Sequence, residues 1–478
     1  MQFIPKRWPW PEILILLLAA ALRLAVLDLK PPHFDEGVNG WFADQMSSTG
    51  YYDYNPENYH GPLHMYAVFV SQKLFGHNIV AVRLPAVLAS LLAVWLTMRF
   101  GRFFGVNASR WAAVAMAVSP ACVFYARYSI HESWLLAFLL LTAWGILELW
   151  KNGTPAGLYA LIGGIAGMVL TKETYFIHIG CFAMAIPCLL AWQLISPSQP
   201  EEPLSKRKWT ATQAAWAVFL AVFAIVFFYS GTFYNWSGVK GLYEAYTKWN
   251  KTGMDSAGGH AKTAYEHARI ALFGHAWEFK TYINYYWPAL MWRYEWPAFI
   301  GLLASVRLLW PAPAHLRYLT IYGGGAMLAY SIIAYKTPWL LLVLLWPFFF
   351  VFGAIVDELC KKLAPVPRLA HAPAFLASLC ISLSMMWSAR LNFMKYDDAT
   401  EPYVYVQTSR EIHRLIDPVF TLVARDPINH QLAGQFFLDS YYPLPWIFND
   451  FPLVSYTKDS QGPAKLTGDF IAAEISKA

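Results

Sequence analysis

Apolar runs long enough to cross a bilayer recur along this chain, and they constrain its fold more than any other feature. Hydrophobic residues make up 57% of the 478 positions and charged residues only 14%, which excludes a soluble globular protein. The chain is therefore predicted to be an α-helical polytopic membrane protein. From the roughly 20-residue requirement for a transmembrane helix we predict about eleven spans, at residues 11–29, 80–98, 111–127, 133–150, 156–171, 174–195, 211–230, 297–310, 318–334, 338–356 and 371–388.

Basic residues predict the orientation of these spans. Lys6 and Arg7 precede the first span, so the positive-inside rule keeps the N-terminus in the cytoplasm. The first span continues past Arg23, which favours a retained helix over a cleaved signal peptide. The other predicted inner loops and inner helix ends are also basic, through Arg99, Arg102, Arg110, Lys151, Lys206, Arg207, Lys208, Arg307, Arg317, Lys361, Lys362 and Arg368. We expect a multi-pass protein of the plasma (inner) membrane whose C-terminus lies outside.

The spans define two domains. Residues 1–388 form a transmembrane domain, and residues 389–478, where apolar runs of spanning length stop, form a small mixed α/β outer domain. Alternation in YVYVQT (403–408) and FTLVARD (420–426) predicts short strands, and REIHRLID (410–417) predicts a helix.

Two long outer loops are predicted within the transmembrane domain, at 30–79 and 231–296. The first contains the apolar segment Pro62–Gly76, which is too short to span and predicts a helix at the membrane interface. The second contains the glycines Gly253, Gly258 and Gly259, which indicate a mobile loop.

An acidic pair, Asp35 and Glu36, follows the first span in the segment HFDEGVNG. Carboxylates at a membrane boundary are costly unless they face water or a partner, so the pair indicates a functional site. The alternative is a solvated loop start after Pro31 and Pro32.

Further charges lie at predicted outer ends of spans, where the positive-inside rule does not explain a cation. They are Arg127 with Glu132, Lys172 with Glu173, Lys336 and, as a possible further member, Arg83. Carboxylates that abstract a proton and cations that hold a phosphate are what sugar transfer from a phosphate-linked donor requires. Partial desolvation would raise the pKa of an Asp toward a useful range, and we choose Asp35 as the general base, with Glu36 in support. Local ion pairing and a snorkelling lysine remain alternatives for the other clusters.

Histidines suggest a possible divalent metal ion. His60 and His64 are four residues apart and would share a helix face, and Glu57 could join them. Pro62 between them argues against a continuous helix. His131 and His260 could also join them, and the alternative ligands are His33 and the adjacent Asp35 or Glu36. The five cysteines lie in or beside apolar segments without CxxC spacing, which indicates inert thiols, and the net charge of +6 gives no sign of nucleic-acid binding.

The chain resembles the GT-C class of membrane glycosyltransferases. The likeness is to the protein O-mannosyltransferase and lipid A aminoarabinose transferase branch, and most of all to a prokaryotic subgroup of flippase-associated, mannosyltransferase-like proteins. It rests on the segments HFDEGVN, YHGPLHMY, FYARYSIHE, TKETYF, YKTPW and YVYVQT, which are spread over most of the chain.

The resemblance implies a polyprenyl-phosphate-sugar donor bound from the outer leaflet and inversion at the sugar carbon. Asp35 matches the catalytic aspartate of the class, and Arg127, Lys172 and Lys336 would hold the donor phosphate, supported by Glu132, Glu173 and His131. The outer domain is smaller than that of oligosaccharyltransferases, and the resemblance does not identify the acceptor, which could be a protein, a lipid or a glycan.

Two other functions remain open from sequence. A lipid flippase or transporter would place its charges near the midplane with inverted repeats, and the glycine-rich segments Leu161–Gly167 and Tyr322–Met327 are the best sign of one. Close helix packing is the favoured explanation of these glycines. A non-catalytic subunit for glycan assembly would need neither Asp35 nor Lys336.

Overall fold

The computed structural model describes residues 10–58, 60–196, 206–250, 286–309, 312–333, 336–405, 407–438, 440–457 and 467–473. The helices before residue 251 are α1 (Trp10–Leu24), α2 (Phe34–Thr49), α3 (Leu63–Phe75), α4 (Ile79–Arg99), α5 (Gly101–Phe104), α6 (Val106–Val118), α7 (Pro120–Phe124), α8 (Glu132–Asn152), α9 (Pro155–Val169), α10 (Tyr175–Ile195), α11 (Ala211–Tyr229) and α12 (Ser237–Asn250). The later helices are α13 (Tyr286–Tyr294), α14 (Trp296–Ala304), α15 (Ala314–Ile332), α16 (Leu342–Leu363), α17 (Ala372–Phe393), α18 (His413–Arg425) and α19 (Leu444–Ile447).

Each of the eleven predicted spans overlaps one or more of these helices. In the part of the chain that is described, six helical stretches are long and apolar enough to cross a membrane, and α9 and the stretch from Trp296 to Leu308 are shorter apolar helices. The predicted span at 111–127 is not one continuous helix, because Ser119 and Pro120 separate α6 from α7. The chain is thus a multi-pass membrane protein. The helix predicted at 62–76 is present as α3, and its place at the membrane interface stays a prediction. The three glycines predicted to form a mobile loop lie outside the described residues.

Glycine-mediated packing joins α8 to α9. A Cβ atom at Gly164 would overlap Thr142 of α8, and one at Gly167 would overlap the ring of Phe138. Small residues at a membrane helix interface allow this close approach of two backbones. This confirms the packing explanation for the first glycine-rich segment, except that Gly163 faces open space.

The C-terminal region forms a small unit with its own core. Three parallel strands, β1 (Gly434–Phe437), β2 (Val454–Thr457) and β3 (Phe470–Ala473), lie in the order β2-β1-β3 and pack against α18. Two strand predictions were wrong. Residues 420–426 belong mostly to α18, whose apolar side chains follow a helical rather than an alternating period, and the described residues of 403–408 run without a regular element along the transmembrane domain. The last transmembrane helix continues to Phe393, past the predicted boundary at 388.

This unit docks on α2 through two glycines. Gly37 lies against Pro443 and Gly40 against the indole of Trp446, with no room for a Cβ atom at either position. Trp446 is buried there with Ala43, Val68 and Val82. The helix that begins with the acidic motif is therefore held between the transmembrane helices and the C-terminal unit.

Candidate active site

A pocket of about 270 Å³ opens where several predicted site residues converge. Its wall is formed by the start of α2, by Glu57, Asn58 and His60, by the start of α8, by the α9–α10 turn and by the segment after α15. Seven of the predicted residues line it, namely Asp35, Glu57, His60, His131, Glu132, Lys172 and Glu173. The structure thus brings together residues that are up to 138 positions apart in sequence.

Asp35 presents its carboxylate to this pocket. It lies in the first turn of α2, and 41% of its side chain is exposed. The backbone N–H of Asp35 donates to Nδ1 of the buried His33, whose Nε2 donates to the carbonyl of Tyr405 at 2.9 Å. Asn39, one helical turn later, also lines the pocket and donates to the carbonyl of Ser129. The position of Asp35 is fixed through its backbone, while its side chain stays accessible.

Glu36 points the opposite way and is fully buried. Its two oxygens accept from Nε and Nη2 of Arg83 at 2.8 and 2.7 Å, and from the backbone N–H groups of His33 and Ser129, each at 2.9 Å. Burial raises the pKa of the Glu36 carboxyl, but the charge and hydrogen bonds of Arg83 outweigh burial and hold the pKa below its usual value. Arg83 also donates to the carbonyls of Leu27, Lys30 and Pro31. Glu36 therefore orients a neighbouring cation and fixes the α1–α2 connection rather than facing a substrate.

Lys172 and Glu132 form a buried ion pair on the pocket wall. Lys172 lies in the turn between α9 and α10, and Glu132 is the first residue of α8. Burial lowers the pKa of the Lys172 ammonium, but Glu132 and Glu173 raise it by more, so the lysine stays charged. The alternative of a local pair between Lys172 and Glu173 is thus wrong, because the partner of Lys172 is Glu132, 40 residues away.

Glu173 pairs with His60 instead. Its Oε2 lies 2.8 Å from Nδ1 of His60, and the carboxylate is buried while 27% of the His60 side chain is exposed. The ring of His131 packs 4.7 Å from that of His60 and 4.8 Å from that of His64, measured between ring centroids. His64 lies behind the pocket, where its Nε2 bonds to Ser129 Oγ at 2.9 Å.

Arg127 and Lys336 are not among the described residues that line the pocket. The guanidinium of Arg127 donates to the carbonyls at the end of α1, including those of Ala25 and Val26 at 2.6 and 2.7 Å. The ammonium of Lys336 donates to the carbonyls of Ser331 and Ile333, and burial lowers its pKa to about 8. Both cations donate to backbone carbonyls near the site, and their contact with a phosphate stays a prediction.

A family model and several solved structures are similar to this chain. Residues 59–232 match the family described as dolichyl-phosphate-mannose-protein mannosyltransferase, less than half of the chain. The crystal structure of ArnT from Cupriavidus metallidurans bound to undecaprenyl phosphate is similar with a TM-score of 0.57 at 14% identity, over 92% of this chain and 85% of ArnT. The same protein in the apo state gives a TM-score of 0.54 at 14% identity, over 97% of this chain and 89% of ArnT.

An oligosaccharyltransferase from Archaeoglobus fulgidus, crystallised with zinc and sulfate, gives a TM-score of 0.51 at 11% identity, over 94% of this chain and 62% of that one. No curated protein sequence matches the chain significantly. The chain has the GT-C fold. The predicted resemblance to the GT-C class is therefore confirmed, and the family match includes His60, His131, Glu132, Lys172 and Glu173.

The three histidine and glutamate residues first predicted to bind a metal each have a protein partner. Glu57 pairs with Lys248, His60 with Glu173, and His64 with Ser129. Among the described residues, no group of three or more His, Cys, Asp or Glu side chains is arranged to hold a metal ion. His260 lies outside the described part of the chain.

Several pocket residues of this GT-C chain were not predicted from sequence. Asn39, Thr174, Tyr330, Thr337 and Trp339 all line the cavity. Asn39 could have been found, because it lies four residues after Asp35 and shares its helix face. Tyr330 and Trp339 gave no such signal, since aromatic residues at predicted outer helix ends are usual in membrane proteins.

Proposed function

We propose that this protein is an integral-membrane glycosyltransferase, which moves a sugar from a polyprenyl-phosphate-linked donor to an acceptor on the outer face of the membrane with inversion at the sugar carbon. The observation that carries the proposal is the accessible carboxylate of Asp35 in the pocket of a GT-C fold. The similarity to ArnT, which was crystallised with undecaprenyl phosphate, supports the class of donor.

Asp35 acts as the general base in this proposal. The acceptor hydroxyl binds beside its carboxylate and attacks the sugar carbon on the face opposite the phosphate, and its proton moves to Asp35. The bond between sugar carbon and phosphate oxygen breaks, and its electron pair stays on the phosphate. His33 serves as a positioning residue, because it accepts from the backbone of Asp35 and is itself held by Tyr405.

We assign Lys172 to the donor phosphate, because it is the one of the three predicted cations that lines the pocket among the described residues. Glu132 already balances its charge. Lys172 therefore offers the phosphate a hydrogen-bond donor of fixed direction more than a net positive charge. A charged phosphate then needs a further group that carries a proton.

The proposed topology places the pocket on the outer side, with the N-terminus in the cytoplasm of a plasma (inner) membrane protein and the C-terminal unit outside. Reporter fusions after Lys208 and after Ser476 should report opposite sides of the membrane. The same side for both would contradict this topology.

Purified protein in nanodiscs, offered a panel of polyprenyl-phosphate sugars, tests the activity. The correct donor should raise the melting temperature, since a ligand at 100 times its Kd stabilises the folded state by about 2.7 kcal/mol. Asp35→Asn should then lower turnover by roughly a hundredfold or more with that stabilisation retained, because general-base catalysis supplies about this factor.

Asp53→Asn is the matched control, because Asp53 is exposed and lies outside the pocket-lining set. It should keep wild-type turnover. Full sugar transfer by a folded Asp35→Asn variant would exclude Asp35 as the base, and absence of transfer by the wild type from every donor would favour the flippase or assembly-subunit functions.

A further inference from the structure

Backbone hydrogen bonds join the segment that follows His60 to the segment that precedes Glu173. The backbone N–H of Gly61 donates to the carbonyl of Thr171 at 3.1 Å, and that of Leu63 donates to the carbonyl of Leu170 at 3.0 Å. A Cβ atom at position 61 would overlap the backbone of Leu170, so only glycine permits this approach. Backbone hydrogen bonds, and not side-chain packing alone, thus hold Nδ1 of His60 at 2.8 Å from Oε2 of Glu173.

His60 differs from the two histidines stacked behind it. Burial lowers the pKa of His64 to about 4. Burial, together with the charges of His60, His64 and Lys172, holds the pKa of His131 well below its usual range. Both rings are therefore neutral at pH 7, while His60 is partly exposed at the pocket wall and has a carboxylate partner.

Among the described residues that line the pocket, carboxylates outnumber ammonium groups. Glu132 and Glu173 are two buried carboxylates, and the Lys172 ammonium on the same wall pairs with Glu132. A buried charge without a partner is costly, so the second carboxylate needs a cation. His60 is the group placed to supply it, because its Nδ1 lies 2.8 Å from Glu173 Oε2, and an imidazolium in this position would carry a second proton on Nε2. The other carboxylates of the pocket wall are Asp35 and Glu57.

We infer that His60, oriented by Glu173, is the general acid that protonates the departing phosphate of the donor. This role rests on the proposed glycosyltransferase function. As the bond between the sugar carbon and the phosphate oxygen breaks, its electron pair stays on that oxygen and the proton on His60 Nε2 moves to the phosphate. Asp35 takes the acceptor proton, and exchange with water returns both residues to their starting states. Glu173 is a positioning residue, because it acts through His60.

The test compares pH profiles of sugar transfer for the wild type, His60→Gln and Glu173→Gln. Turnover of the wild type should fall at alkaline pH as the acid loses its proton. His60→Gln should lower turnover at pH 7 by roughly a hundredfold and abolish that alkaline limb, since general-acid catalysis typically supplies this factor or more. Glu173→Gln should move the limb to lower pH, because loss of the carboxylate favours neutral imidazole.

Two further measurements separate acid catalysis from a structural task. Donor-induced thermal stabilisation should persist in His60→Gln, and added imidazole should restore part of the turnover of His60→Ala. His371→Gln is the control, because His371 is exposed at the start of α17 outside the pocket-lining set, and it should behave as the wild type.

An unchanged alkaline limb in His60→Gln, with or without loss of turnover, would overturn the role of His60 and leave the proposed function standing. A wild type that transfers sugar from no donor would overturn the proposed function and the role of His60 together.

Discussion

Replacement of Glu36 by Gln tests the division of labour between the two adjacent carboxylates. Glu36 is fully buried and accepts four hydrogen bonds at 2.7 to 2.9 Å, two of them from Arg83. A Gln amide keeps one accepting oxygen and turns a donating NH₂ group toward two donors. It also leaves the Arg83 guanidinium buried without a countercharge.

The expected loss of stability follows from these contacts. Hydrogen bonds to charged groups contribute about 1.5–3 kcal/mol each, and two of the four cannot form in Glu36→Gln. Removal of one partner of a buried ion pair costs about 3–5 kcal/mol, which agrees with the loss expected from two such hydrogen bonds. Asp35→Asn should leave stability nearly unchanged, because its carboxylate is 41% exposed and lies 3.8 Å from His33.

Thermal melting in detergent measures this contrast. Glu36→Gln should lower the melting temperature by several degrees or more, while Asp35→Asn melts with the wild type and loses turnover. The pKa of Glu36 is lowered in the folded state, so its contribution is present above the pKa of an unfolded Glu and disappears as the pH falls through the folded-state value. The gap between wild type and Glu36→Gln should therefore shrink in acid. A Glu36→Gln protein with wild-type melting at pH 7 would refute the assignment of Glu36 as a structural anchor.

Three further substitutions probe the surroundings of the pocket. Lys172→Met should destabilise the protein by about 3–5 kcal/mol, because it leaves the buried carboxylate of Glu132 without its partner. The double variant with Glu132→Leu should recover most of the melting temperature. Additive losses of stability in the double variant would argue against the ion pair. Gly61→Ala should reduce turnover and melting temperature together, because the new methyl group overlaps Leu170 and displaces His60, whereas Gly163→Ala, in open space, should change neither. Burial lowers the pKa of Lys336 to about 8, so above that pH the unfolded chain binds more protons than the folded one. The stability of the wild type relative to Lys336→Met should therefore rise from pH 8 to 10. A constant difference in melting temperature between the two proteins over that range would contradict this.

The helices of this protein are more easily predicted from its sequence than the side-chain contacts between them. Hydrophobic periodicity and length located a helix at each predicted span, and the HFDEGVNG motif identified Asp35 as a pocket residue. The partner of Glu36 was not assigned, because Arg83 lies 47 residues away and nothing local indicates the pairing. Arg127, Lys172 and Lys336 are predicted to hold the donor phosphate, yet the Arg127 guanidinium donates to carbonyls at the end of α1. Position at a helix end is readable from sequence, but the direction of a long side chain is decided by tertiary packing.

The hydrogen bond between His33 and Tyr405 joins residues that are 372 positions apart. During synthesis the ribosome must therefore add most of the chain before this hydrogen bond beside α2 can form. Gln407, which donates to the carbonyl of Pro31 at 3.0 Å, arrives at the same late stage. A nascent chain that has inserted all its membrane helices still lacks this fixed arrangement around Asp35. Completion of the site thus depends on the C-terminal segment, because a chain truncated before residue 403 would lack both hydrogen bonds.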